Sequence, residues 1–152
     1  MGIDLNDPEM AEILSDFCQE SKKICAELDS IIDDIDDEDC EQMKTELERY
    51  GQTIDRVMGA SKSLGLNQIG KLCELGKTIS YKASQVSEQP LLALVVSSMA
   101  DCTQTLKQLI DRVEVDHRED IPNFNLKAFL ERLIWLEGKF SNISRSSVAI
   151  KG

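Results

Sequence analysis

The chain has 152 residues, of which 17 are basic and 28 are acidic, so its formal net charge is −11. A chain of this length typically forms one domain and buries roughly 70% of its unfolded surface, so it needs neither disulfides nor a metal to fold. The acidic charge repels phosphate backbones and anionic lipid headgroups, which argues against nucleic acid and membrane surfaces as partners. A protein partner fits this charge better.

Apolar runs and cysteine usage indicate the compartment. The longest uninterrupted apolar run covers residues 91–96, far too few for membrane insertion, and the first residues lack the pattern of a signal peptide. The cysteines are odd in number and include no Cys-x-x-Cys pair, which favours reduced thiols over a disulfide scaffold or a zinc site. We expect a cytoplasmic protein with one thiol exposed, Cys40, and four in the core: Cys18, Cys25, Cys73 and Cys102.

Five long segments carry apolar residues at spacings of three and four, the period of an amphipathic α-helix, and no segment alternates like a strand. The predicted helices cover residues 8–35, 38–63, 67–87, 90–113 and 126–140. Asp7 is expected to cap the first helix, Asp37 or Asp39 the second and Asn67 the third, because a short polar side chain can accept from the first free amides. Gly65 suits the end of the second helix.

Short loops between long helices favour antiparallel neighbours that bury their apolar stripes together. The sequence therefore predicts an all-α fold, an antiparallel up-and-down four-helix bundle with a fifth, C-terminal helix packed on it. Residues 1–141 form a single helical domain in this interpretation, and residues 142–152 form a flexible tail.

Residues 54–65 read Ile-Asp-Arg-Val-Met-Gly-Ala-Ser-Lys-Ser-Leu-Gly. This stretch resembles the signature of histidine phosphotransfer domains, and of the N-terminal domain of chemotaxis histidine kinases, where a helix carries His-x-x-Lys-Gly and reaches Leu-Gly before the next helix. Gly59 matches the motif glycine, and Leu64 and Gly65 match the turn. The resemblance extends over residues 10–113 in helix count and loop positions, and it implies a bundle with the phosphorylated position exposed on the second helix.

Two positions depart from that signature, since Asp55 stands where the family has its phosphoacceptor histidine and Met58 where it has lysine. Phosphotransfer needs an imidazole nitrogen as nucleophile, which a carboxylate cannot replace. The resemblance then implies a non-catalytic pseudo-phosphotransfer module of two-component or chemotaxis-type signalling. It would dock a receiver domain of a response regulator, or a histidine kinase, through Gln52, Asp55, Met58, Gly59 and Lys62, without a cofactor or metal.

Three alternatives stay open. Gln52 and Asp55, three residues apart, could act as the amide and the acid of a helical receiver phosphatase, although their order and spacing differ from that motif. Asp55 could instead be an ordinary solvated residue. The bundle could also self-associate through an exposed apolar patch formed by Trp135 and Phe140 on the fifth helix.

The single histidine and the acidic run offer no further chemistry. His117 lies in a polar loop with Glu119 and is expected to be solvated, and one histidine excludes catalytic triads and multi-histidine metal sites. The acidic run, residues 33–39, lacks the glycine and the spacing of a calcium loop. Nucleotide-binding and hydrolase motifs are absent from the sequence.

Overall fold

The structure, a computed structural model, describes the backbone of residues 5–151 and the side chains of residues 5–140. A 3-10 turn, Pro8–Met10, precedes five α-helices. These are α1 (Ala11–Asp33), α2 (Cys40–Ser63), α3 (Asn67–Ala83), α4 (Gln89–Asp116) and α5 (Leu126–Lys151). No strand occurs within residues 5–151, so the predicted all-α class is confirmed.

The first four helices form the bundle that the sequence predicts. Helix α1 packs against α2 and α4, and α3 packs against the same two helices, so each of the four has two neighbours. Helix α5 lies against α3. Within the described residues, no helix combines the length and the apolar character needed to cross a membrane.

One apolar core runs through the bundle and extends beneath α5. Cys18, Cys25, Cys73 and Cys102 lie in it, as predicted, whereas Cys40, expected to be exposed, is partly buried and packs against the core. Burial raises the pKa of Cys18 to about 11 and those of Cys25 and Cys102 to about 12, so these thiols stay protonated at neutral pH. In the described part of the chain, no cluster of histidine, cysteine and acidic side chains could hold a metal ion.

The helix ends agree with most of the predicted caps. The Asp7 carboxylate accepts from the amide of Glu9 at 3.0 Å, and that of Asp39 accepts from the amide of Gln42 at 3.1 Å. Gly65 has a φ of 73°, the left-handed conformation that glycine adopts without steric cost after a helix.

The third helix differs from its prediction at both ends. Asn67 is the first residue of α3 rather than its cap, and Leu66 stands at the N-cap with no side-chain hydrogen bond. The helix stops at Ala83 instead of continuing to residue 87, because the amides of Gln85 and Val86 bond three residues back in a turn. That turn reverses the chain before α4.

The predicted apolar patch on the fifth helix is only half right. Trp135 is 59% exposed, but Phe140 is 2% exposed and belongs to the core. Phe140 falls on the same helical stripe as Leu133 and Leu136, which pack inward, so its ring is covered. Helix α5 continues to Lys151 instead of ending at residue 140, so the backbone of residues 142–151, predicted as a tail, is helical.

Tyr50 is the largest fully buried side chain and the centre of a polar cluster in the core. Its hydroxyl lies 2.8 Å from Thr103 Oγ1 and 3.1 Å from the carbonyl oxygen of Met99. The Thr103 hydroxyl can also donate to the Met99 carbonyl, at 2.9 Å. It therefore keeps a hydrogen bond when the phenol oxygen of Tyr50 is removed.

We expect Tyr50→Phe to lower the free energy of unfolding by about 1 kcal/mol, the net value of one buried hydrogen bond. Urea denaturation measures the change. Tyr81→Phe is the matched control, because Tyr81 is 57% exposed and should lose nothing. Equal midpoints for Tyr50→Phe and the native chain would show that this hydrogen bond adds no stability.

Candidate functional site

The predicted docking residues lie on α2 beside α3, and glycines bring these two helices close together. A Cβ atom added to Gly51 would lie 3.3 Å from the carbonyl oxygen of Lys77, and one added to Gly70 would lie 3.1 Å from Cγ of Lys62. One added to Gly76 would lie 3.1 Å from Cδ1 of Ile54. Glycine at 70 and 76 therefore weakens α3 locally but permits its close approach to α2.

Two ion pairs cross the exposed side of this seam. Lys77 Nζ lies 3.0 Å from Asp55 Oδ1, and Lys62 Nζ lies 3.7 Å from Glu74 Oε2. The acid belongs to α2 in the first pair and to α3 in the second, as antiparallel helices allow. All four side chains are about half exposed, so each pair stabilises the fold by only about 0–1 kcal/mol and can exchange partners.

Gly59 lies on α2 between these pairs, four residues after Asp55 and three before Lys62. A Cβ atom added to Gly59 would meet nothing within 4 Å, so packing inside the chain does not require glycine. Its φ is not positive, since Gly65 is the positive-φ glycine of the described residues. We call this surface the Gly59 notch: Asp55, Gly59 and Lys62 from α2, with Glu74 and Lys77 from α3.

The other two predicted residues differ in accessibility. Gln52 is exposed one turn before Asp55 and extends the notch along α2. Met58 is partly buried and packs against the core, so it offers a partner less surface than Gln52 does. The structure thus brings Gln52, Asp55, Gly59 and Lys62 onto one accessible face.

The sequence interpretation missed the two residues that α3 contributes, Glu74 and Lys77. The available signal was their order along the chain, an acid followed by a base as on α2, because two antiparallel helices with the same order place opposite charges face to face. The register between α2 and α3 was also needed to pair them. That register depends on the turn through Gly65 and on the close contact at Gly51.

His117 is not the solvated loop residue that the sequence suggested. It is partly buried, has a φ of 55° and ends α4 in a left-handed conformation. A hydrogen bond of 2.8 Å joins its Nδ1 to Oδ1 of Asn6. The histidine therefore links the end of α4 to the N-terminal segment.

Glu119 takes the capping role that the sequence assigned to Asn67. Its Oε2 accepts from the amide of Ile69 at 2.7 Å, which ties the loop after α4 to the first turn of α3. Burial raises the pKa of Glu119, and the backbone amides of Ile69, Gln68 and Asn67 oppose that rise. The sequence could not reveal this cap because 50 residues separate the two partners.

Comparisons with protein-family models, curated proteins and solved structures find no match to this chain.

We expect alanine to have opposite effects on stability at two glycines of α2, Gly59 on the solvent side and Gly51 on the side that faces α3. Gly59→Ala should raise the free energy of unfolding by about 0.5–1 kcal/mol, because alanine restricts the unfolded chain and meets no obstacle here. Gly51→Ala should lower it by about 1 kcal/mol or more, since the methyl group presses on the Lys77 carbonyl. Thermal and urea denaturation measure both. A destabilised Gly59→Ala would mean that the fold itself needs this glycine.

Glu119 predicts a pH dependence of stability. Its pKa is raised above the ordinary 4.5, so the folded chain binds this proton more tightly than the unfolded chain does. Its stabilising contribution is complete below about pH 4.5 and falls as the pH rises through the folded pKa. Glu119→Gln, which cannot ionise, should match the native chain near pH 4 and exceed its free energy of unfolding at pH 7.

Glu119→Ala is the control: it cannot ionise either but also removes the acceptor, so it should be about 1 kcal/mol less stable than Glu119→Gln at both pH values. Urea denaturation across this pH range separates the two variants. A difference between Glu119→Gln and the native chain that does not change with pH would contradict the assigned shift.

Proposed function

We propose that this protein is a pseudo-phosphotransfer module of a two-component or chemotaxis-type signalling system. It docks a receiver domain of a response regulator, or a histidine kinase, on the Gly59 notch and relays no phosphate. The supporting observation is the open glycine at 59, framed by two half-exposed ion pairs.

The free-energy cost of a glycine at position 59, inside a helix, supports a role in binding a partner. A glycine inside a helix destabilises it by roughly 0.5–1 kcal/mol relative to alanine. At Gly51 and Gly76 the contact between helices offsets this cost, but no atom of the described residues fills the space at Gly59. A partner that packs directly on the α2 backbone would use it.

The pairing of Asp55 supports docking without transfer. Lys77 already binds the carboxylate at the position where the resemblance expects a phosphoacceptor. A carboxylate in this contact offers no imidazole nitrogen to a phosphoryl group. The pair instead offers a partner one negative and one positive group at fixed positions, which favours one docking orientation.

The charge of the notch is balanced, although the chain as a whole carries −11. Its two acids and two bases alternate across the seam, with Asp55 opposite Lys77 and Lys62 opposite Glu74. A partner with mixed charges can therefore approach without the repulsion that an acidic face would impose. These ion pairs are weak, so replacing them with contacts to the partner costs little free energy.

The test uses receiver domains and kinases from the same genome, each mixed with the isotope-labelled chain with and without a phosphate mimic. Amide chemical-shift changes should centre on Gln52, Asp55, Gly59 and Lys62. Gly59→Leu should weaken binding at least about tenfold, or ~1.4 kcal/mol, because the side chain fills the notch. Gly138→Leu is the matched control, since Gly138 is equally open but lies on α5.

Other outcomes would overturn the proposal. If no receiver or kinase binds, or if Gly59→Leu binds as the native chain does, the notch is not the docking surface. If the protein accelerates loss of phosphate from its receiver, and Gln52→Ala abolishes this while binding persists, the protein is a receiver phosphatase instead.

A further inference from the structure

A second surface, formed by α4 and α5, carries exposed apolar groups that the proposed function does not use. A groove runs between α4 and α5, lined by Leu94, Ser98 and Asp101 from α4 and by Phe129, Arg132 and Trp135 from α5. Its floor is buried core, whereas Leu94 is 43% exposed and Trp135 is 59% exposed. A half-exposed tryptophan beside a half-exposed leucine is typical of the centre of a protein interface.

The α4 wall of the groove carries one charge, at Asp101, and the part of α4 before it carries none. Residues 89–100 include no acidic or basic side chain, although 30% of the whole chain is charged. Two copies of a chain with a net charge of −11 repel each other over most of their surfaces. This wall is a place where they can meet with little repulsion.

The two walls also carry opposite charges that form no ion pair with the described side chains. Asp101 lies on α4 and Arg132 lies on α5, both exposed, and neither forms an ion pair with any side chain of residues 5–140. A twofold axis places each residue of an interface against the complementary position of the other copy. Arg132 of each copy can then face Asp101 of the other.

The Trp135 side chain is already restrained by a neighbouring lysine before any such contact forms. Lys139 Nζ lies 4.7 Å from the centroid of the Trp135 ring, a cation–π contact worth about 0.5–1 kcal/mol at an exposed site. The lysine covers one face of the indole and leaves the rest accessible. An aromatic side chain restrained before association loses less conformational entropy when it binds.

We propose that the groove between α4 and α5 binds a second copy of this chain, forming a twofold-symmetric dimer. Leu94 and Trp135 supply the apolar contact, and reciprocal pairs of Asp101 with Arg132 set the orientation. The groove is small, so the dimer belongs to the class of interfaces below about 1,200 Å² and forms in a concentration-dependent way. The inference does not rest on the Gly59 notch, since the two surfaces share no residue.

Sedimentation velocity from about 10 µM to about 500 µM tests the dimer, because a small interface dissociates in this range. The native chain should shift towards twice its 17.0 kDa mass as concentration rises. Trp135→Glu should remain monomeric throughout. Val115→Glu is the control, because Val115 is 75% exposed but lies outside the groove, and it should dimerise normally.

Charge reversal tests the twofold geometry. Asp101→Arg alone and Arg132→Asp alone should each be monomeric, since like charges then meet in both reciprocal pairs. The double variant should dimerise again. An equimolar mixture of the two single variants should form heterodimers, because every reciprocal pair then joins opposite charges.

These exposed substitutions should leave the thermal unfolding midpoint of each variant within a few degrees of the native value, which circular dichroism checks. A native chain that stays monomeric at every concentration overturns the proposal. So does a dimer that survives Trp135→Glu, or a mixture of the two charge variants that remains monomeric.

Discussion

The close approach of α2 to α3 is the constraint on which the functional surface depends. Glycines at positions 51, 70 and 76 remove the side chains that would otherwise separate the two helices. The helices then lie near enough for Lys77 to reach Asp55 and for Lys62 to reach Glu74. The seam thus converts a short stretch of α2, which resembles a signalling motif, into a surface shared by two helices.

Gly59 differs from these three glycines in its surroundings, and this difference gives the surface its interpretation. Close packing against a neighbouring helix offsets the cost of a helical glycine, whereas none of the described residues packs on Gly59 to offset it. The flanking ion pairs are weak and accessible, so they suit exchange with a partner better than they suit stabilisation of the bundle. Stability and recognition therefore use different residues of the same helix.

The distribution of charge separates the two candidate interaction surfaces from the rest of the acidic exterior. The Gly59 notch balances two acids with two bases, and the α4 wall of the groove carries no charge over residues 89–100. Elsewhere the excess of carboxylates opposes close contact with acidic partners and with other copies. Both proposed partners meet the protein where this repulsion is smallest.

The sequence by itself determined the helices and the local positions on them. Apolar spacing of three and four reports burial on one stripe of one helix, so the five helices, the core cysteines and the caps at Asp7 and Asp39 were predictable. Only the tertiary structure decided the Asp55–Lys77 pair and the Glu119 cap on α3. These depend on residues far apart in the chain, and their partners are set by helix register and rotation, which a local periodicity does not specify.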